Sequence, residues 1–185
     1  DYSLEYFINY YKKFSNDFQE LNESTKLAIN IESIKGYENI KKILEVIKEK
    51  SLPISHIVIG RSDLTSSLKL NNVNSKEIFN ITKDILYQSS FYKVKSCIGG
   101  NLTSNSFKFI YELKDYNLYA FESRKVTFKF SNTISKKEFD NLIKLSLEFE
   151  LAWLNLKSSM YFLRSNEENS RVATIRNRLN LKPND

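Results

Sequence analysis

Short apolar runs of strand length alternate along the chain with apolar stripes at helical spacing. Leu27 to Ile31 is a β-branched run of the kind buried on both faces of a parallel sheet, and it stops at Glu32. Beyond Gly36 and Tyr37 the period changes: Ile40, Ile43, Leu44 and Ile47 make one apolar stripe with lysines and glutamates opposite, which predicts a covering helix. Ser51, Pro53 and Ser55 break it. His56 to Ile59 is a second strand, closed by Gly60, Arg61, Ser62 and Asp63, so that an acid again follows a strand. Val94 to Ile98 and Leu118 to Phe121 repeat the strand pattern.

The segments between and around these strands carry their own signals. Leu4, Phe7, Ile8, Tyr11, Phe14 and Phe18 keep helical spacing, predicting a helix over residues 3–18 that covers the sheet, followed by a polar turn at Asn22, Glu23 and Ser24. After Asp63 the stretch LTSSLKLNNVNS reads as a long loop; Asn74 with Glu77 reads as a capping box opening a helix on Ile78, Ile81, Ile85 and Leu86. Thr103 or Ser104 can cap a helix carrying Phe107, Ile110 and Leu113, and the fourth strand is expected to continue from Glu122 through Lys125 to Phe130. Ser135 with Glu138 is a second capping box. It opens a helix on Leu142, Leu145, Phe149 and Ala152, followed by a polar break at Asn166 to Asn169 and a short helix on Val172, Ile175 and Leu179.

Alternation of buried strands with covering helices means an α/β fold, a parallel sheet with right-handed crossovers. The chain has 185 residues. A complete (β/α)8 TIM barrel takes about 250 residues, so four strand-helix units predict its carboxyl-terminal half over residues 1–152, with a helical extension over 153–185. A doubly wound open sheet is the alternative. A half-barrel leaves raw apolar edges, so the expected partner is a missing amino-terminal half or another copy.

Composition narrows the setting. The single cysteine, Cys97, excludes an internal disulfide framework, and no apolar run reaches the about 18 residues of a membrane span. A cytoplasmic protein without membrane contact is expected. The formal net charge of +6 permits an anionic ligand, but the lysines are spread singly along helix faces, so nucleic acid is not expected.

Glu32 and Asp63 are the leading chemical candidates. Acids at the carboxyl ends of consecutive parallel strands face one mouth and can share a hard cation, since Mg²⁺ is satisfied by one or two carboxylates plus waters or substrate oxygens; alternatively both are caps of helices or turns. Gly99 and Gly100 let backbone approach a ligand, or form only a tight turn. Glu122 and Arg124 lie on one face of an extended chain. They form an ion pair, or Arg124 meets a substrate carboxylate. His56 opens its strand, away from the mouth, and Cys97 reads as a buried hydrophobe.

The segments NIESIKGYENIKKIL and IVIGRSDLTSSL resemble the metal-binding strands of the HpcH/HpaI aldolase and citrate lyase family, less sharply continued over most of the chain. The resemblance implies that Glu32 and Asp63 are ligands of Mg²⁺ or Mn²⁺. It implies that the amides of Ser62 and Asp63 hold a substrate carboxylate, with Asn30 and Arg124 as auxiliary catalytic contacts. Arg61 stands where the family often has proline, and is expected to reshape the turn or add an anion contact. The implied activity is metal-dependent carbon–carbon lyase or aldolase chemistry on a 2-oxo acid through its enolate, or on an acyl-CoA; a non-catalytic fragment is the remaining alternative.

Overall fold

The structure, a computed structural model, describes residues 27–49, 52 and 54–179, together with 6, 7, 9, 10, 11 and 13. Those six early residues are helical, and Tyr6, Phe7 and Tyr10 among them are exposed. Leu4, Ile8, Phe14, Phe18 and the expected turn at 22–24 lie outside the described residues. The chain divides into two units, Asp1–Lys144 and Leu145–Asp185.

The first unit is a sheet covered by helices. Its elements run β1 (Leu27–Ile31), α1 (Ile34–Glu38), α2 (Ile40–Glu49), β2 (Ile54–Gly60), α3 (Arg61–Ser67), α4 (Lys76–Phe91), β3 (Lys95–Gly99), a 3-10 turn (Ser104–Ser106), α5 (Phe107–Glu112), β4 (Leu118–Glu122) and β5 (Thr127–Lys129). A last helix, α6 (Lys136–Arg178), begins in this unit. The strands pair in order β1-β2-β3-β4-β5, the first four parallel and the fifth antiparallel. Sequential order among parallel strands belongs to a sheet wound one way, as in barrels, whereas a doubly wound sheet reverses its order at a switch point.

The predicted stripes bury as expected. Ile40, Leu44 and Ile47 of α2, and Ile78, Ile81, Ile85 and Leu86 of α4, join one cluster with Ile31, Ile57, Ile59, Ile98 and Phe121 from the sheet. Residues between these in the strands point the other way. There Val58, Cys97 and Ala120, register partners in turn, make a small separate cluster.

Four expectations are corrected. The stretch after Asp63 is not a long loop, because α3 starts at Arg61 directly after β2. The cap of α4 is Ser75, whose hydroxyl accepts from the Ile78 amide, because the Asn74 side chain is taken by Arg61. The fourth strand does not run on: the Ser123 amide donates to the Val126 carbonyl and turns the chain back as β5, covering the β4 edge. Finally, α6 continues through Asn166 to Asn169 without a break. That stretch is polar but contains no glycine or proline, and Arg164 and Glu168 pair across one turn at 3.5 Å, so nothing ends the helix.

The start of α6 has the expected box: the Glu138 carboxylate accepts from the Ser135 amide and hydroxyl, while the Ser135 hydroxyl accepts from the Glu138 amide. Its buried stripe is Phe139, Ile143 and Ser146 rather than the Leu142-Leu145-Phe149 stripe that spacing suggested. Phe139 contacts Phe107 and Phe121 at ring-centroid distances of 5.6 and 5.1 Å, and this aromatic contact sets the helix's rotation. In the second unit the helix is exposed along most of its length beyond Ser146. Trp153, Leu156, Met160 and Tyr161 line a shallow groove there with Lys157 and Arg164.

Candidate active site at the carboxyl ends of the strands

Register places the candidate groups in rows across one face of the sheet. Gly60 pairs with Gly99, and each ends its strand; Glu32 follows β1 on one side, and Glu122 ends β4 on the other. The row therefore reads glutamate, glycine, glycine, glutamate. One step down the strands, Asn30, Val58, Cys97 and Ala120 form the next row on the same face.

The glycines explain where the glutamates lie. A Cβ on Gly60 would stand 2.5 Å from Glu32 Cγ and 2.9 Å from its Oε1, so the Glu32 side chain crosses over the bare backbone of β2. Asn30 Nδ2 donates to the same oxygen at 2.9 Å, fixing the carboxylate from below. On the other flank a Cβ on Gly99 would meet Glu122 Cγ at 3.2 Å and Oε1 at 3.3 Å. Both carboxylates lean inward.

Asp63 sits in the first turn of α3 and is exposed, at the same end of the sheet. Ser62 is half-buried. Gly100, at φ +85, packs against this helix start so tightly that a Cβ would lie 2.5 Å from the Ser62 amide nitrogen and 2.8 Å from that of Arg61. The Gly-Gly pair is therefore a close packing of two backbones, a conformation that glycine alone adopts without strain.

Arg61 does not offer an anion contact. It is fully buried, donating from Nε to the Gly99 carbonyl at 3.1 Å, from Nη2 to the Gly100 carbonyl at 2.8 Å and from Nη1 to Asn74 Oδ1 at 2.7 Å. Its guanidinium lies 4.7 Å from the centroid of Phe109. Burial lowers its pKa to about 10, so it stays cationic at neutral pH. Arg61 is a brace that ties the β3 turn and the entry of α4 to the start of α3.

The expected Glu122–Arg124 pair does not form, because the turn separates them. Arg124 is exposed in that turn, while Glu122 Oε2 accepts from Thr127 Oγ1 at 3.3 Å and lies 3.7 Å from Cys97 Sγ. Burial, then the nearby Glu122 charge, pushes the Cys97 thiol pKa up, so it stays protonated. His56 pairs with Ala28 and Lys95 at the opposite end of the strands and takes Ser55 Oγ at 2.7 Å from Nδ1, away from the acids as its position in the strand implied. Gly60 as a floor, and Asn74 and Phe109 as the seat of Arg61, were not singled out from sequence. The only signal for Gly60 was its place directly before the Arg61–Asp63 turn.

Residues 4–97 match the family model HpcH/HpaI aldolase/citrate lyase. The chain belongs to this family. The match takes in Glu32 and Asp63 and stops short of Gly99 and Glu122. The family is one of aldolases and lyases, and it brings lyase chemistry with it as the class of activity. Comparison with curated proteins gives no match. Among the described residues no helix is long and apolar enough to cross a membrane.

Proposed function

We propose that the protein is a divalent-metal-dependent carbon–carbon lyase or aldolase that works through the enolate of a 2-oxo acid. The observation that carries this is Glu32: a half-buried carboxylate at a strand end, laid over Gly60 and oriented by Asn30, inside the family-matched residues.

The donor set fits a hard cation. Among the described residues no three or more His, Cys, Asp or Glu side chains gather as a metal cage. A pair of carboxylates suits Mg²⁺ or Mn²⁺, which keep several positions for waters and substrate oxygens. Glu32 and Asp63 would hold the ion, and when bound it supplies Lewis-acid stabilisation of a developing enolate oxygen.

The chain's own groups do the rest. Asn30 keeps the Glu32 carboxylate turned toward the glycine floor. The amides of Ser62 and Asp63, at the start of α3, are donors for a substrate carboxylate, and Arg61 fixes them by holding the Gly99–Gly100 turn against that helix start. Gly99 and Gly100 bring backbone rather than side chain to the substrate. Arg124, exposed in the turn after β4, is free to meet an anionic group at the rim. The β1 edge, which pairs only with β2 among the described residues, would take a further half-barrel or a second copy.

The test is calorimetric titration with Mn²⁺, together with deuterium exchange into the methyl group of pyruvate followed by NMR. Metal-dependent exchange that chelator abolishes is the expected result. Exchange that persists in chelator would refute the mechanism; Mn²⁺ binding without exchange of any 2-oxo acid would turn the reading toward acyl-CoA thioesters.

A further inference from the structure

An enolate mechanism needs a base at the substrate carbon as well as a stabilised oxygen, and among the described residues matched by the family model no second carboxylate lies over the glycine floor. We propose that Glu122, beyond the matched residues, is that base: the group that takes and returns the proton at the carbon next to the 2-oxo group. This role rests on the enolate reading above.

Three features of Glu122 support it. Its position mirrors that of Glu32: each leans from the flank of the row toward the midline, over Gly99 and Gly60, which pair directly and so lie about one strand spacing, ~4.8 Å, apart. A molecule resting on that floor lies between the two carboxylates. Next, the two oxygens of Glu122 differ: Oε2 is held by Thr127 Oγ1, with the Cys97 thiol near it, whereas Oε1 is the oxygen that faces Gly99 and has no hydrogen-bond partner among the described residues. One oxygen orients the group and the other is left to react. Finally, among the described residues no cation pairs with it: Arg124 lies exposed in the turn after β4, and the nearby Cys97 is a protonated donor rather than a competing nucleophile.

The proton accounting is simple. Glu122 Oε1 takes a proton from C3 of the 2-oxo acid; the C3–H pair becomes the C2–C3 double bond, and the carbonyl π pair moves to the C2 oxygen. In the cleavage direction the same oxygen takes the proton of the C4 hydroxyl. The C3–C4 pair then becomes the C2–C3 double bond, an aldehyde leaves, and the carboxylic acid returns the proton to C3.

Two variants and one probe test this. Glu122→Gln keeps size and the Thr127 contact but not basicity; it should bind Mn²⁺ within about threefold of the parent and lose pyruvate deuterium exchange by about 100-fold or more. Glu32→Gln should lose both. In the unaltered protein 3-bromopyruvate should esterify Glu122, its carboxylate displacing bromide, with the adduct located by peptide mass and prevented by excess pyruvate. Exchange in Glu122→Gln within threefold of the parent overturns the role, as does loss of its Mn²⁺ binding or an adduct that maps elsewhere. Mn²⁺ binding without any exchange in the parent protein sinks the enolate reading itself, a result distinct from a fully active Glu122→Gln.

Discussion

Replacing Arg61 by alanine should be the most damaging single change on the mouth side of the sheet. The three closest acceptors lose their donor: the buried carbonyl of Gly99, and the half-buried carbonyl of Gly100 and Oδ1 of Asn74. An unmade buried bond costs about 1–3 kcal/mol, and the two half-buried ones fall toward the lower end of that range. The contact over Phe109 adds about 2 kcal/mol when desolvated, as here. Against this, alanine removes the cost of burying the guanidinium. Burial lowers its pKa from the ordinary guanidinium range to about 10, which corresponds to roughly 3 kcal/mol. The losses exceed the relief, for a net destabilisation of about 3–5 kcal/mol, the scale on which breaking a buried charged network falls.

Urea unfolding followed by circular dichroism reads this directly. With a slope of about 2 kcal/mol per molar, the midpoint should fall by roughly 2 M. Arg61→Lys should recover less than half of that, since a single ammonium cannot reach three acceptors arranged for a planar fork. A midpoint shift under about 0.5 M for Arg61→Ala would refute the reasoning, because it would mean that water replaces the guanidinium and the turn needs no brace.

Gly60→Ala should leave the fold within about 2 kcal/mol, since the obstructing Glu32 side chain can swing aside, but should lower Mn²⁺ affinity by about tenfold or more by displacing that carboxylate, as calorimetry would show. Thr82→Val should raise stability by about 1 kcal/mol, because the buried Thr82 hydroxyl has no hydrogen-bond partner among the described residues and valine matches its shape; an unchanged or lowered urea midpoint would show that the hydroxyl is satisfied. At the start of α6, the Ser135 amide and hydroxyl hold the Glu138 carboxyl below its ordinary 4.5. Since the folded value is the lower one, the stabilisation is present above pH 4.5 and lost as pH falls through the folded pKa. The stability gap between the parent and Glu138→Ala should therefore close in acid, and a gap constant down to low pH would contradict the cap.

The strands and their covering helices were legible because both are set by periodicity, which tertiary contacts reinforce. Ile40, Leu44 and Ile47 bury because they share one helix face, whatever else the chain does. The errors lie where hydrogen bonds of particular side chains outweigh pattern. Asn74 looked like a cap, yet its oxygen serves Arg61, and Ser75 takes over one residue later. The polar stretch at 166–169 looked like a break, but polarity does not end a helix that has no glycine, no proline and an Arg164–Glu168 pair. The β4 extension failed for a related reason: the run Lys125 to Phe130 has strand character, and nothing in its pattern distinguishes a strand that continues from one that turns back.

The site divides in the same way, by whether backbone or side chain decides. Glu32 and Asp63 could be placed at the carboxyl end of the sheet from sequence because an acid just after a buried strand emerges there, a consequence of backbone direction alone. Arg61 follows a buried strand too, and on that rule it should have faced the mouth. It turns inward because α3 starts at once, with Arg61 as its first residue, while Gly99 and Gly100 present two carbonyls beneath it. A cation adjacent to a candidate anion site is thus consumed in building that site. Glu122 is the converse case. Sequence assigned it to Arg124 as an ion pair, and the hairpin removed the arginine, leaving the carboxylate on the glycine floor opposite Glu32. The glycines decide this outcome: a Cβ at Gly60 would force the Glu32 side chain off the row, and one at Gly99 would press on Glu122 tightly enough to shift it by a few tenths of an ångström. Backbone emptiness at the paired strand ends is therefore as much a part of the candidate site as the carboxylates themselves.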